Sequence, residues 1–287
     1  MPADINIWAL AGTGFAAGLV GSMLGVGGGI LIVPILTLLL GVPMQYAVGS
    51  SLASIVINAC TATGVYIRSH MTNLKLGLLL SCTLIPGAVI GAWLAARLSS
   101  PILSGIFGLL LIYVAYTLIP HKLKRFTAEE LERQKDPHEE EHASHAWLDG
   151  EYFDPAVDQQ ISYGVHRPGT GLTTGFFAGV ISSMLGVGGG IINVPVMNLV
   201  MKVPAKAAIA TSAMLLAFTT MTGALIYAYN GYIIPYVIAP LMISVFLGSR
   251  TGATLSQRLR SNTLMAIFAA FLVLTAVMMI LRAFKVI

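Results

Sequence analysis

The residues with the clearest potential for chemistry are two copies of one glycine-rich segment. Residues 22–30 and 183–191 both read SMLGVGGGI, 161 positions apart. Consecutive glycines interrupt a helix, and the N–H groups at the start of the next helix carry a partial positive charge that attracts anions. The glycines at these breaks are therefore candidate anion ligands; the alternative is that they only let helices cross closely. They are Gly27, Gly28, Gly29, Gly188, Gly189 and Gly190.

Polar residues inside otherwise apolar segments are the next candidates, because a hydroxyl or amide can donate to an oxyanion. They are Ser51, Asn58, Asn193, Ser212 and Thr219. Each could equally bond a carbonyl of its own or a neighbouring helix. Arg250 also lies inside an apolar segment, where burial in hydrocarbon costs at least about 2.5 kcal/mol and favours a position facing the protein interior. The alternative is that its long side chain reaches the membrane surface.

The composition defines the elements that must position these residues. The chain has 287 residues, of which 56% are hydrophobic and 10% charged, and its mean hydropathy is +0.82. Soluble proteins carry about 25% charged residues, so the composition predicts an all-α protein that crosses the membrane several times. The two cysteines, Cys60 and Cys82, lie in apolar stretches and are predicted to be buried.

The charges exclude several classes of function. Eleven of the twelve acidic residues lie between Glu129 and Asp158, which leaves the apolar segments without carboxylates. Cation and proton transporters usually place such groups in the membrane, so an anionic substrate is favoured. No basic cluster interleaved with aromatics suggests nucleic acid, and no catalytic set or cofactor motif suggests an enzyme. The expected partners are a small anion and the lipid bilayer, and oligomerisation is left open.

The repeat divides the chain into three parts. The first repeat is 1–120, a charged linker occupies 121–168, and the second repeat is 169–287. Each half contains an apolar segment, the glycine break, a second segment too short to span the bilayer, and three full-length spans. The segments predicted in the first half are 5–25, 30–40, 46–67, 74–96 and 101–120. Those predicted in the second half are 171–186, 190–201, 206–229, 232–256 and 262–284.

The distribution of Lys and Arg gives a topology. If each glycine break is a hairpin, each half makes an odd number of crossings and the repeats are inverted. One side then receives twelve Lys and Arg and the other three. If each break lies in a single crossing helix, the count is ten against five. The hairpin arrangement fits the positive-inside rule better and places the linker in the cytoplasm.

The linker itself contains two patterns. Residues 127–147 begin with a capping box and predict a polar helix. His138, His142 and His145 share one face of it and could hold a metal, although a solvated face is favoured. Residues 150–168 alternate around an Asp-Pro turn and predict a small β-hairpin.

The paired glycine motif resembles the TauE/SafE family of sulfite exporters. The first copy comprises Gly14, Gly18, residues 22–29 and Pro34, and the second comprises Gly175, Gly179, residues 183–190 and Pro195. The resemblance implies a permease of the bacterial or archaeal inner membrane for sulfite or organosulfonates such as sulfoacetate. Broken helices in repeats are typical of secondary transporters that bind substrate near the membrane midplane. The function expected is therefore export by alternating access; the alternative is an anion channel or a sensor that signals through the linker.

Overall fold

The computed structural model describes residues 7–117, 147–155 and 158–259. The helices of the first repeat are α1 (Ile7–Leu24), α2 (Gly29–Pro34) with a π-helical extension (Ile35–Leu39), α3 (Met44–Arg68), α4 (Leu74–Arg97) and α5 (Ser100–Thr117). Those of the second are α6 (Pro168–Leu185), α7 (Gly190–Pro195) with its π-helical extension (Val196–Val200), α8 (Ala205–Tyr229) and α9 (Pro235–Arg258). The bounds of α6–α9 are those of α1–α4 displaced by 161 residues.

Five of the described helices are long and apolar enough to cross a membrane: α1, α3, α4, α8 and α9. The helices predicted for these segments are confirmed to within three residues at each end. The span predicted at 262–284 lies outside the described residues, as do the linker helix and its three histidines. The molecule is therefore a mostly helical, multi-pass membrane protein.

Two glycine loops join the helices at the glycine breaks: the first loop is residues 25–28 and the second loop is residues 186–189. A proline determines the shape of the short helix that follows each loop. Pro34 and Pro195 each end a six-residue α-helix that continues as a π-helix. Proline has no N–H to donate and crowds the preceding turn, so the backbone widens there. The N–H of Val42 then donates to the carbonyl of Leu36, and that of Val203 to Met197, both at 2.9 Å.

The chain turns back on itself at the glycine loop. Leu10, near the start of α1, shares an apolar cluster with Leu36 and Val42. A methyl group on Gly28 would overlap the carbonyl of Ala17, so the loop folds back against α1, as the hairpin arrangement requires.

Helices α3 and α8, which are equivalent in the two repeats, pack antiparallel along the centre of the molecule. A methyl group on Gly49, near the start of α3, would lie 3.3 Å from the Cβ of Tyr227, near the end of α8. One on Gly223 would lie 3.1 Å from a methyl of Leu52. Helices α1 and α6 pack on the other repeat's α9 and α4.

Glycines bring these outer pairs into backbone contact. A methyl group on Gly18 of α1 would overlap the carbonyl of Val245 in α9, and one on Gly179 of α6 would overlap the carbonyl of Leu84 in α4. These four positions are equivalent between the repeats. Here the glycines do allow close crossing, the role small residues commonly play in membrane helices.

The linker docks on the helices through a β-hairpin in which β1 (Gly150–Asp154) pairs antiparallel with β2 (Gln159–Tyr163). It lies within 150–168, where the sequence predicts a hairpin. Leu148 and Tyr152 are buried in the main apolar cluster. Asn73, which caps α4, donates from Nδ2 to the carbonyl of Leu148 at 2.8 Å.

A buried ion pair fastens this hairpin to the second repeat. Lys206 Nζ lies 2.6 Å from Asp154 Oδ1, and the two side chains are 1% and 3% exposed. Lys206 also donates to the carbonyl of Gln257 near the end of α9, at 3.2 Å. The hairpin thus contacts the first repeat through Asn73 and the second through Lys206.

The position equivalent to Lys206 in the first repeat makes a neutral version of the same contact. Gln45 Nε2 donates to the carbonyl of Leu98, just after α4, at 2.9 Å. Its side-chain oxygen accepts a hydrogen bond from Ser100. In both repeats the start of one central helix is therefore tied to the end of the next helix along the chain.

The prediction that Cys60 and Cys82 are buried is wrong, because both lie exposed on the outer surfaces of α3 and α4. In a membrane helix the surface that meets lipid is as apolar as the core, so an apolar neighbourhood in the sequence does not indicate burial.

Candidate functional site

The two glycine loops meet each other about half way along α3 and α8. A methyl group on Gly29 would overlap the carbonyl of Gly186, and one on Gly190 would overlap the carbonyl of Gly25. Helices α2 and α7 therefore each begin against the backbone of the other repeat's loop.

Contacts with two equivalent apolar side chains show where along α3 and α8 these loops lie. A methyl group on Gly27 would lie 2.8 Å from Ile55 Cγ2, and one on Gly188 would lie 2.9 Å from Leu216 Cδ2. Ile55 and Leu216 are both fully buried near the midpoints of α3 and α8. The loops thus lie in the interior of the protein, where the sequence placed the candidate anion site.

Two serines predicted as anion ligands instead hold the loops together across the repeats. Ser51 Oγ donates to the carbonyl of Gly186 at 2.7 Å, and Ser212 Oγ donates to the carbonyl of Gly25 at 2.8 Å. Each serine bonds the loop of the opposite repeat. Their hydroxyl protons are occupied, so these residues position the loops.

Asn58 supports the first loop. Its Nδ2 donates to the carbonyl of Gly27 at 2.9 Å, which fixes the orientation of the amide, and its buried Oδ1 has no hydrogen-bond partner within 7–117, 147–155 and 158–259. The equivalent residue, Thr219, bonds the carbonyls of Leu215 and Leu216 in its own helix. Thr219 therefore follows the local alternative that the sequence left open.

The two loops have the same sequence but different backbones. Gly28 has φ of 81°, whereas the equivalent Gly189 has φ of −55°. A side chain on Gly21 would overlap the backbone N of Gly28. The second repeat carries Ser182 at the position of Gly21, so its loop cannot adopt the first conformation.

The second loop retains unused hydrogen-bonding groups beside it. Asn193 is 5% exposed and Ser182 is 0% exposed. Asn193 Nδ2 and Ser182 Oγ have no hydrogen-bond partner among the described residues. Leaving a buried polar group unpaired costs about 1–3 kcal/mol, so both groups favour a ligand that accepts hydrogen bonds.

The sequence predicted Asn193 as a candidate ligand, and Ser182 was not among the predicted residues. The signal available was a break in the repeat, because Gly21 and Ile32 of the first half are Ser182 and Asn193 in the second. Two polar residues replace two non-polar ones around an otherwise identical loop.

The structure does not bring Arg250 together with the other candidates. Its side chain lies exposed on the outer face of α9, while the neighbouring Ser249 points inward and donates to the carbonyl of Asn58 at 2.9 Å. A groove of about 480 Å³ between the ends of α4 and α8, lined by Trp93, Arg97 and Tyr229 among others, shares no residue with the glycine loops.

Comparison with known proteins identifies the family of this chain. Residues 10–279 match the family model described as sulfite exporter TauE/SafE. The chain belongs to that family, and the resemblance read from the glycine motifs is confirmed.

Three relatives are similar to this chain over nearly its whole length. The probable membrane transporter protein YunE of Bacillus subtilis is 28% identical and aligns over 91% of this chain and 92% of its own length. A probable membrane transporter protein of Methanocaldococcus jannaschii is 26% identical over 93% of each chain. One of Haemophilus influenzae is 28% identical over 94% of this chain and 96% of its own. No solved structure matches the chain at a significant level.

Proposed function

We propose that this protein exports small sulfur-containing anions, such as sulfite or organosulfonates, across the inner membrane. The observation that carries the proposal is the meeting of two glycine loops, one from each repeat, half way along the central helices. Buried donors beside the second loop, which have no partner in the part of the chain that the structure describes, suit an anion, and the apolar segments carry no Asp or Glu that would suit a cation.

The repeats are proposed to lie inverted across the bilayer, with the linker in the cytoplasm. The antiparallel packing of α3 against α8 supports this arrangement, since the two helices are equivalent in the repeats. Transport by alternating access would separate the loops by rocking one repeat against the other. The hydrogen bonds from Ser51 to Gly186 and from Ser212 to Gly25 would then break and form again in each cycle.

The driving force proposed is the membrane potential alone. An inside-negative potential favours anion exit by about 2.3 kcal/mol per charge per 100 mV. The apolar segments carry no Asp or Glu, the residues that usually relay protons in the membrane. The transport expected is therefore a saturable, voltage-driven uniport.

Flux measurements in liposomes test this function. The purified protein is reconstituted and offered sulfite, sulfoacetate, taurine, sulfate and chloride under an imposed potential, with protein-free liposomes as the control. The expected result is saturable movement of sulfite or a sulfonate that follows the potential. Flux that depends on a proton gradient while the voltage is clamped would contradict uniport, and flux that does not saturate would indicate a channel.

The docked linker hairpin favours one second candidate, a sensor that signals through the linker. Deleting residues 127–160 distinguishes the two, provided that Lys206 is changed to Gln so that no unpaired charge is left buried. A transporter should retain basal flux without the segment, whereas a sensor should not move substrate even when intact.

A further inference from the structure

We infer that the second glycine loop contains the oxyanion subsite, formed by Gly189, Ser182 and Asn193, and that the first loop does not. The inference rests on the proposed function and assigns the two identical sequence motifs different roles. Its basis is the difference in backbone and in neighbouring side chains between the loops.

The missing side chain of Gly189 lies beside a donor. A Cβ built on Gly189 would lie 3.3 Å from Asn193 Nδ2, 3.4 Å from Ser182 Cβ and 3.4 Å from the carbonyl oxygen of Ala178. Because glycine has no Cβ, a ligand can approach the backbone and Asn193 Nδ2 on this side of the loop. A methyl group at position 189 would obstruct that approach.

Two side chains beside Gly189 have the chemistry that an oxyanion requires. Asn193 Nδ2 and the Ser182 hydroxyl are buried, have no hydrogen-bond partner in the described part of the chain, and can both donate. A hydrogen bond to a charged group is stronger than a neutral one. Together they would offer two neutral donors to an anionic group.

The first loop lacks this arrangement. A Cβ on Gly28 would overlap the carbonyl of Ala17, so this glycine packs directly against the backbone of α1. Gly21 and Ile32 replace the two donors, and the amide of Asn58 is already bonded to Gly27. The first loop therefore does not bind the anion, and its role is to pack against the second loop.

Substitution of Gly189 by alanine tests the subsite directly. The φ of −55° is open to any residue, and the added methyl would meet its neighbours at contact distance. The variant should therefore fold. Gly12→Ala is the matched control, since a Cβ there meets nothing within 4 Å.

The experiment measures binding of sulfite, sulfoacetate, taurine, sulfate and nitrate to the purified protein by calorimetry, with thermal unfolding of each variant as the test of folding. Gly189→Ala should bind the anion at least tenfold more weakly than wild type. Its unfolding temperature without ligand should equal or exceed that of wild type. Ser182→Ala and Asn193→Ile, the latter taken from Ile32, should each weaken binding about tenfold. Gly12→Ala should bind as wild type.

The outcomes separate the subsite from the proposed function. If the wild type binds a sulfur anion and the three variants bind it equally well, the subsite is wrong and the proposed function stands. If the wild type binds only another oxyanion and the variants lose it, the subsite stands and the sulfur substrate is wrong. If the wild type binds no oxyanion, both are overturned.

Discussion

The buried pair between Lys206 and Asp154 allows a quantitative prediction. Both side chains are almost fully buried and their charged atoms lie 2.6 Å apart. Changing Asp154 to Asn removes the negative charge that compensates the buried Lys206 ammonium, which keeps the carbonyl of Gln257 as an acceptor. Changing Lys206 to Gln removes the ammonium that lies 2.6 Å from the buried Asp154 carboxylate.

The expected cost follows from the burial. Removing one partner of a buried ion pair costs about 3–5 kcal/mol, because the other charge stays desolvated. The lower end, about 3 kcal/mol, is expected for Asp154→Asn, since Lys206 keeps one bond. The double variant, with Gln at 206 and Asn at 154, carries no charge to desolvate and should cost only about 1 kcal/mol.

Hydrogen–deuterium exchange of the hairpin measures this cost. A two-stranded hairpin is marginally stable alone, so its amide protection depends on docking. A loss of about 3 kcal/mol corresponds to exchange roughly 100-fold faster in residues 150–163. The double variant should exchange within about tenfold of wild type. Glu151→Gln is the matched control in the same strand, because its carboxylate bonds Gln160 at the exposed surface.

Two results would refute this reasoning. Exchange at the wild-type rate in Asp154→Asn would mean that the ion pair does not hold the hairpin. Exchange in the double variant as fast as in the single variants would mean that the contact depends on the charges themselves and not on avoiding an unpaired one.

Three further predictions concern packing, the first loop and alkaline pH. Gly179→Leu should lower the unfolding temperature strongly, because the side chain must displace the carbonyl of Leu84 in a tightly packed crossing, at a cost of about 1–3 kcal/mol or more. Asn58→Ala should destabilise the protein by about 1–3 kcal/mol in chemical unfolding, because the buried carbonyl of Gly27 loses its donor. Burial raises the pKa of Tyr163, helped by the nearby charge of Asp149, so the folded state holds the proton more tightly than the unfolded chain, whose tyrosine titrates near pH 10. Stability should therefore be fully present below about pH 10 and fall as pH rises toward the folded pKa, and Tyr163→Phe should flatten the unfolding temperature measured between pH 9 and 11.

The matched controls come from residues that make no such contacts. Gly169→Ala should leave the unfolding temperature unchanged, since a Cβ there meets nothing within 4 Å. Thr219→Val, equivalent in position to Asn58, should cost less than Asn58→Ala because its hydroxyl bonds only its own helix. Equal losses at positions 58 and 219 would contradict the role assigned to the Gly27 contact, and an unchanged alkaline slope in Tyr163→Phe would contradict the titration of that residue.

The sequence by itself determined the local structure and the family. Glycine and proline act on the backbone at their own positions, so the loop breaks and the helices that follow them could be placed from the printed residues. The exact repeat of nine residues and the run of apolar segments were enough to predict the helices, the hairpin in the linker and membership of the TauE/SafE family.

Only the tertiary structure decided which surface of each helix faces inward. The helices are apolar on all sides, and lipid is as apolar as the protein interior, so no stripe in the sequence separates core from membrane. The packing of neighbouring helices decides that the outward faces of α3, α4 and α9 include Cys60, Cys82 and Arg250. The contacts between repeats join residues more than a hundred positions apart, such as Ser51 with Gly186. The difference between two identical glycine loops likewise depends on Ser182 and Gly21, which lie just outside the repeated nine residues but meet the loops only after the chain has folded back.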